Sequence, residues 1–263
     1  MWTSAAQLET NRFPWQEPRG DEPRPVAPDA LRARAVAADA SSTRKADLAG
    51  VWGELVLGHW LVVEMFFAAD RSFLVIKDVR SLARKGVVQG GLRRRQLALL
   101  EPVLLGKTQK AVALEAGLCV SSVSTGLKSA LGVLGITCPA SRVPPVIVAL
   151  VSAARSSTRA SGRESVITDG GQRYRVISIE RPDLALSSLL SRSEYDAIRR
   201  LVEGKHHDEI AEERRASPRT VANQIGSAFR KLGVSGRSEL LAALVRGDVP
   251  ALRLEFGADV TSA

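Results

Sequence analysis

Cysteine is scarce in this chain of 263 residues: only Cys119 and Cys138 occur, too few and too irregularly placed for a disulfide framework or a zinc site. Aromatic residues make up 5%, and Trp52, Trp60 and Phe73 fall among apolar neighbours, which assigns them to packing rather than to a base-stacking platform. Long hydrophobic runs are missing as well. The most apolar stretch, Val51 to Ile76, is interrupted by Glu54, His59, Glu64, Asp70 and Arg71, a composition that crosses a bilayer only at high cost. The first residues mix charges with prolines and lack an apolar segment, so no secretory leader and no membrane partner are expected, and the location expected is cytoplasmic.

Catalytic constellations are equally absent. Ser, His and Asp fall in no nucleophilic arrangement, and the acidic residues are scattered among Lys and Arg. Gly86, Gly90 and Gly91 are not followed by the Lys-Ser/Thr of a phosphate loop. His206-His207 places two imidazoles on diverging sides of a helix start with no third ligand at metal spacing. The expectation is a protein that is not an enzyme and holds no cofactor and no metal.

What the chain does have is positive charge and a repeat. Lys and Arg number 37 against 28 Asp and Glu, for a formal charge of +9. Such an excess favours polyanionic partners, because neutralising phosphates releases counterions. Apolar content of 45% suffices for real cores. Displaced by 98 positions, so that Gly204 falls on Gly106, the segment Leu190 to Val234 runs without a gap along Leu92 to Ile136. Leu190, Arg192, Gly204, Lys205, Ala211, Glu213, Val221, Ser227, Ala228, Leu232 and Gly233 meet identical residues. Internal self-similarity of this kind outranks composition as a guide to architecture.

The second copy reads as four short helices. Ser191 and Glu194 form a capping box ahead of Ala197, Ile198, Leu201 and Val202, an apolar stripe stopped by Gly204. A shorter helix from about His207 to Arg214 turns Ile210 and the small Ala211 inward. Ser217-Pro218 opens a third, in which Ser caps and Pro costs no hydrogen bond. Its apolar side is Val221, Ile225, Ala228, Phe229 and Leu232. A fourth, about Arg237 to Arg246, sets Leu240, Leu241 and Leu244 on one face. Polar and basic residues at the exposed start of a third helix suit a reader of the DNA major groove. A small bundle with a merely solvated polar face fits the pattern equally well.

Leu190-Ser191-Arg192-Ser193-Glu194, Gly204, Glu209-Ile210-Ala211, Ser217, Thr220-Val221, Lys231-Leu232-Gly233-Val234 and Arg237 closely resemble the LuxR-type helix-turn-helix family, over some 50 residues. The resemblance implies a four-helix DNA-binding domain, a third helix in the major groove and a fourth that commonly makes a dimer contact, here through Leu240, Leu241 and Leu244. It also implies a phosphate-contacting role for Thr220 and puts Lys231 at the basic position near the end of the recognition helix. Ala222 and Gln224 replace the usual Lys and His, Arg215 the usual turn Gly, and Ser193 the usual Arg. The DNA-contacting set on this copy is therefore Ser217, Arg219, Thr220, Asn223, Gln224, Ser227 and Lys231.

The first copy is degenerate. Pro102 lies within its first helix, at a cost of about 3 kcal/mol unless a kink absorbs it, and Gly126 and Gly132 in the third each cost roughly 1 kcal/mol against Ala. Cys119 stands where Ser217 caps the second copy. Ser121, Ser122, Ser124, Thr125 and Lys128 are left to face DNA, with Arg93-Arg94-Arg95, Lys107 and Lys110 adding charge that suits either a backbone or plain water. Ser121, Ser124, Thr125 and Lys128 are its candidate contacts, and packing or dimerisation is its other role.

Ahead of each copy, β-rich runs flank a turn: Trp60 to Phe67 and Ser72 to Lys77, then Ser165 to Thr168 and Arg173 to Ile179 around Asp169-Gly170-Gly171. Phe73-Leu74-Val75-Ile76 lines up with Tyr174-Arg175-Val176-Ile177. The expected fold is mainly α with two LuxR-type four-helix units, each preceded by a short β-hairpin. The expected divisions are a flexible Pro/Ala-rich arm (1–45, with a short helix near Ala30 to Ala38), a first hairpin and degenerate unit (46–154), a linker and second hairpin (155–189), the DNA-binding unit (190–246) and a tail (247–263). Arg155 to Gly162, rich in Ser, Thr, Arg and Gly, would let the units reach half-sites about one helical turn, ~34 Å, apart. Double-stranded DNA is the expected partner, with RNA polymerase a further candidate and the pairing either a homodimer or an intramolecular pseudo-dimer. The alternative is a module that binds another regulator or polymerase without reading DNA.

Overall fold

The computed structural model describes residues 28–80, 90–155, 160–169 and 171–249. The beginning of the expected arm, Gly86, part of the Arg155 to Gly162 stretch, Gly170 and most of the tail lie outside the described residues. Two helices lead: α1 (Pro28–Ala40) and α2 (Leu48–Val56), the latter capped by Asp47 accepting from the Gly50 N–H. The hairpin β1 (Trp60–Ala68) and β2 (Arg71–Asp78) follows. Then come α3 (Arg94–Leu104), α4 (Gln109–Ala116), α5 (Val120–Val133) and α6 (Pro145–Arg155). The second half repeats the order with β3 (Gly162–Asp169), β4 (Gln172–Glu180), α7 (Arg192–Val202), α8 (His207–Glu213), α9 (Pro218–Leu232) and α10 (Arg237–Arg246). The expected strand and helix positions are thus occupied, with ends moved by a few residues.

The hairpins do not stand apart. They join in one antiparallel sheet of order β1-β2-β4-β3, so β4, expected to belong to a linker segment, is a central strand. Leu74 pairs with Ile177, Val75 with Val176 and Ile76 with Arg175. Val75 and Val176 are also the residues that align between the two copies, so at the centre of the sheet a residue meets its own counterpart. That is the signature of an isologous, two-fold-like contact, here made within one chain.

One face of the sheet packs on the main core through Trp60, Val62, Leu74, Ile76, Ile177 and Ile179. The other face, Phe66, Phe73, Val75, Ile167 and Val176, is covered by Leu31 and Ala35 of α1. Asp39, on the same helix, is buried and pairs with Arg71 at 3.1 Å. Residues 28–45 therefore belong to the folded body, which corrects the expected extent of the arm. Leu31 and Ala35 are its buried anchors, with Val36 and Ala38 half-buried beside them, and most of these side chains are small, so the sequence carries little amphipathic signal.

Helix α6 is apolar on every side, with Pro145 to Ser152 all buried, as a helix in the middle of a core must be. It packs against α2, α10 and the sheet. Leu240, Leu241 and Leu244 of α10 are 0%, 1% and 7% exposed in this chain alone. The expected homodimer contact is corrected accordingly: these leucines face the chain's own core. Arg237 fastens the junction by donating to the carbonyls of Leu201 (2.6 Å) and Val202 (2.9 Å) in one half and of Ser141 (2.7 Å) and Val143 (2.9 Å) in the other. Its burial pushes the guanidinium down to about 10, so it stays charged at neutral pH. The expected freedom of two tethered units is corrected too, because sheet, helices and Arg237 hold the halves together.

Pro102 falls in the last turn of α3, which ends at Leu104. It leaves the Ala98 carbonyl without its helical donor, but Ala98 is exposed to water and only two residues of helix follow. Next to it, buried Glu101 accepts from the Trp52 indole at 2.8 Å and from Arg155 at 2.5 Å, tying α3 to α2 and α6.

Candidate nucleic-acid interface

Helix α9 crosses both α7 and α8. Val221, Ile225, Ala228 and Leu232 turn inward at helical spacing and are buried. Ser217 caps the helix, its hydroxyl accepting from the Thr220 N–H at 3.1 Å and lying 2.8 Å from the Thr220 hydroxyl. Gly233 stops it at φ 69°. This leaves Ser217, Arg219, Thr220 and Asn223 exposed on the first two turns of the outer face, where a helix N-terminus adds its partial positive charge. Arg219 and Asn223 have no hydrogen-bond or ion-pair partner among the described residues.

Gln224, Ser227 and Lys231 are less free than the spacing suggests. Gln224 is half-buried and accepts from Arg214, which in turn pairs with Asp196 at 2.9 Å. Lys231 donates to Glu194 at 2.7 Å. That hydrogen bond, with help from the Ser191 backbone N–H and the Ser227 hydroxyl, holds the Glu194 carboxyl down at about 2. The capping box predicted for Ser191 and Glu194 is formed, and Glu194 serves both the cap and Lys231. Sequence pattern finds the outer face of α9 but not these partners, which arrive from α7 and the α8–α9 turn.

Arg215 was legible only as a departure from the usual glycine. In the structure it lies in that turn at φ 49°, a left-handed conformation that ordinary side chains resist, and the aligned Gly117 takes φ 63°. Its side chain is exposed, as are those of Arg192 and Arg230. These three exposed cations were not among the expected contacts.

In the first copy, α5 crosses α3 and α4, burying Val123, Leu127, Ala130 and Leu131. Ser121, Ser124, Thr125 and Lys128 are all exposed. Cys119 occupies the cap position, where its thiol contacts the Ser121 and Ser122 hydroxyls at 3.1 and 3.0 Å. Those hydrogen bonds bring the thiol down to about 7. Leu114 (84% exposed) and Val120 (47%) add apolar surface beside it. His206 begins α8, its backbone N–H bonded to the Glu209 carboxylate.

Residues 188–244 match the model of the bacterial regulatory proteins, luxR family. Over 58 residues the chain is 43% identical to the spore germination protein GerE of Bacillus subtilis (strain 168), which covers 22% of this chain and 78% of that protein. The chain belongs to the luxR family. No solved structure matches it. Its luxR domain is a DNA-binding helix-turn-helix, and the family is one of transcriptional regulators, not enzymes. The match begins at residue 188, so the first copy lies outside it. Among the described residues no helix is long and apolar enough to cross a membrane.

Proposed function

We propose that this luxR-family chain is a sequence-specific transcriptional regulator in which α9 reads the major groove and residues 92–155 serve as a second, degenerate helix-turn-helix paired with it inside the same chain. The observation that carries this reading is the contact of α6 with α10: the fourth helices of the two copies pack on each other, the place where the family's resemblance implies a dimer contact. The counterpart pairing of Val75 with Val176 in the sheet gives the same relation. Arg219, Asn223 and Thr220 carry the recognition, the first two toward base edges and the third toward phosphate. α5, held two-fold-like to α9, would face the neighbouring stretch of the duplex with contacts unlike those of α9, so the target would not be a symmetric palindrome.

The test is retention of genomic DNA fragments by the purified chain at two salt concentrations, followed by sequencing and by measuring the mass of the complex on the enriched site. A shared motif, affinity falling as salt rises and one chain per site support the reading. Two chains per site would replace the intramolecular pair with a homodimer. A partner-binding module that does not read DNA is the second reading, favoured by exposed Leu114 and Val120 and by Ala222. Absence of any retention at low salt would favour it.

A further inference from the structure

The first copy carries a groove whose aligned positions in the luxR domain are filled by different residues. Between α3 and α5 lies a groove of about 510 Å³ lined by Arg93, Arg95, Gln96, Ser122, Thr125 and Ser129. Gly126 opens it: a Cβ there would stand 2.8 Å from the Leu99 side chain. At the aligned positions of the luxR domain, Gln224 takes the place of Gly126 and acidic Glu194 that of Gln96, with Lys231 drawn in by Glu194. The groove continues past Arg93, Gln96 and Ser129 toward Gly90 and Gly91.

Its chemistry is one-sided. Arg93 and Arg95 are exposed and have no ion-pair partner among the described residues. Gln96 is oriented by donating to Ser129 at 3.1 Å and accepting from the Arg93 N–H at 2.9 Å. No carboxylate lines the groove. The two acids of residues 92–136 are both engaged elsewhere, Glu101 with Trp52 and Arg155, and Glu115 with Lys107 at 2.8 Å. Leu99 and Leu118 supply much of the lining, and the polar groups beside them are cations, an amide and hydroxyls without an acid. Those groups match a phosphodiester, which carries charge and only acceptors. The α5 residues that line it, Ser121, Ser122, Thr125 and Ser129, are short, so they have little with which to distinguish bases.

We propose that this groove holds backbone phosphates of DNA without reading sequence, a cationic but sequence-neutral clamp set at a fixed place beside the reading helix α9. The proposal rests on the DNA-binding reading above. Arg93 and Arg95 are the phosphate contacts, with Ser122 and Thr125 adding hydroxyl donors. Because the halves share a sheet and a core, the clamp would fall at a constant offset to one side of the motif.

The experiment compares wild type, Arg93→Ala/Arg95→Ala and Arg93→Lys/Arg95→Lys on the enriched site and on unrelated duplexes. For the alanine pair, affinity is expected to fall on the order of tenfold on both duplexes. The slope of log affinity against log salt should flatten by about 2, and the selected motif should be unchanged. The lysine pair should keep the slope. Hydroxyl-radical protection flanking the motif on one side should vanish with the alanine pair and remain with the lysine pair. A changed motif would overturn neutrality, since the groove would then read bases. Unchanged affinity and slope, with DNA binding intact, would overturn the groove alone, and saturable binding of pyrophosphate by wild type in that case would assign it to a small phosphate. No DNA binding by wild type would overturn both this proposal and the function on which it rests.

Discussion

Lys231 closes an ion pair with Glu194 at 2.7 Å, joining the end of α9 to the first turn of α7. The pair sets a pH window. Glu194 is held at about 2, against an ordinary value of 4.5, so its contribution to stability is complete above the ordinary value and is lost as pH falls through about 2. Glu194→Gln should therefore be less stable than wild type at pH 7, and the two should converge near pH 2. Urea titrations followed by circular dichroism at several pH values would show it. A constant difference across that range would contradict the assignment.

Arg219→Ala and Asn223→Ala should each cost about 1–3 kcal/mol of binding to the preferred site and loosen the motif at one position. Thr220→Ala should weaken all sequences alike. Selection of randomised duplexes with each variant separates the two behaviours.

Arg237→Ala removes the donor to four carbonyls drawn from both halves. Each buried acceptor left unpaired costs about 1–3 kcal/mol, and a loss of at least 3 kcal/mol is expected. Wild type should unfold in one transition; a biphasic curve in the variant would mean that Arg237 couples the halves.

Arg215 holds φ 49° at a turn its aligned counterpart fills with glycine. Arg215→Gly should stabilise the domain by about 0.5–1 kcal/mol, the left-handed strain relieved exceeding the entropy glycine adds. An accompanying drop in DNA affinity would identify the charge as the reason that arginine is kept.

Cys119 is exposed, and the Ser121 and Ser122 hydroxyls lower its thiol to about 7, whereas burial raises that of Cys138. Near neutral pH iodoacetamide should label Cys119 well before Cys138. Ser121→Ala and Ser122→Ala should move the midpoint of its labelling profile upward. Equal rates at the two cysteines would contradict this.

The features legible in the sequence were local ones. Ser191 with Glu194, Ser217 with Pro218, and Gly233 marked the ends of α7 and α9 because caps and stops act within a few residues. The hairpins were legible for the same reason. Their union was not, since nothing in Phe73 to Ile76 names Tyr174 to Ile177 as a strand partner, and the alignment of the two segments was read as repetition before it was seen as contact. Leu240, Leu241 and Leu244 form the apolar face their spacing predicted, yet an apolar face does not say what covers it, and the cover is α6 of the same chain. In the candidate site, Ser217, Arg219, Thr220 and Asn223 are exposed as a helical wheel requires. Gln224 and Lys231 are held by Arg214 and Glu194, residues distant along the chain that no periodicity brings together. A short helix near Ala30 to Ala38 was legible, but its docking on the sheet was not, because Leu31, Ala35 and small or half-buried neighbours with a buried Asp39–Arg71 pair make a weak amphipathic pattern.

The meeting of Val75 with Val176 has a bearing on dilution. A contact between two chains dissolves when the protein falls below its dissociation constant, so its occupancy depends on how much protein a cell makes. With both partners on one polypeptide, the effective concentration is set by the chain itself. Assembly of this sheet is first order: one molecule carries the whole of it, at any copy number.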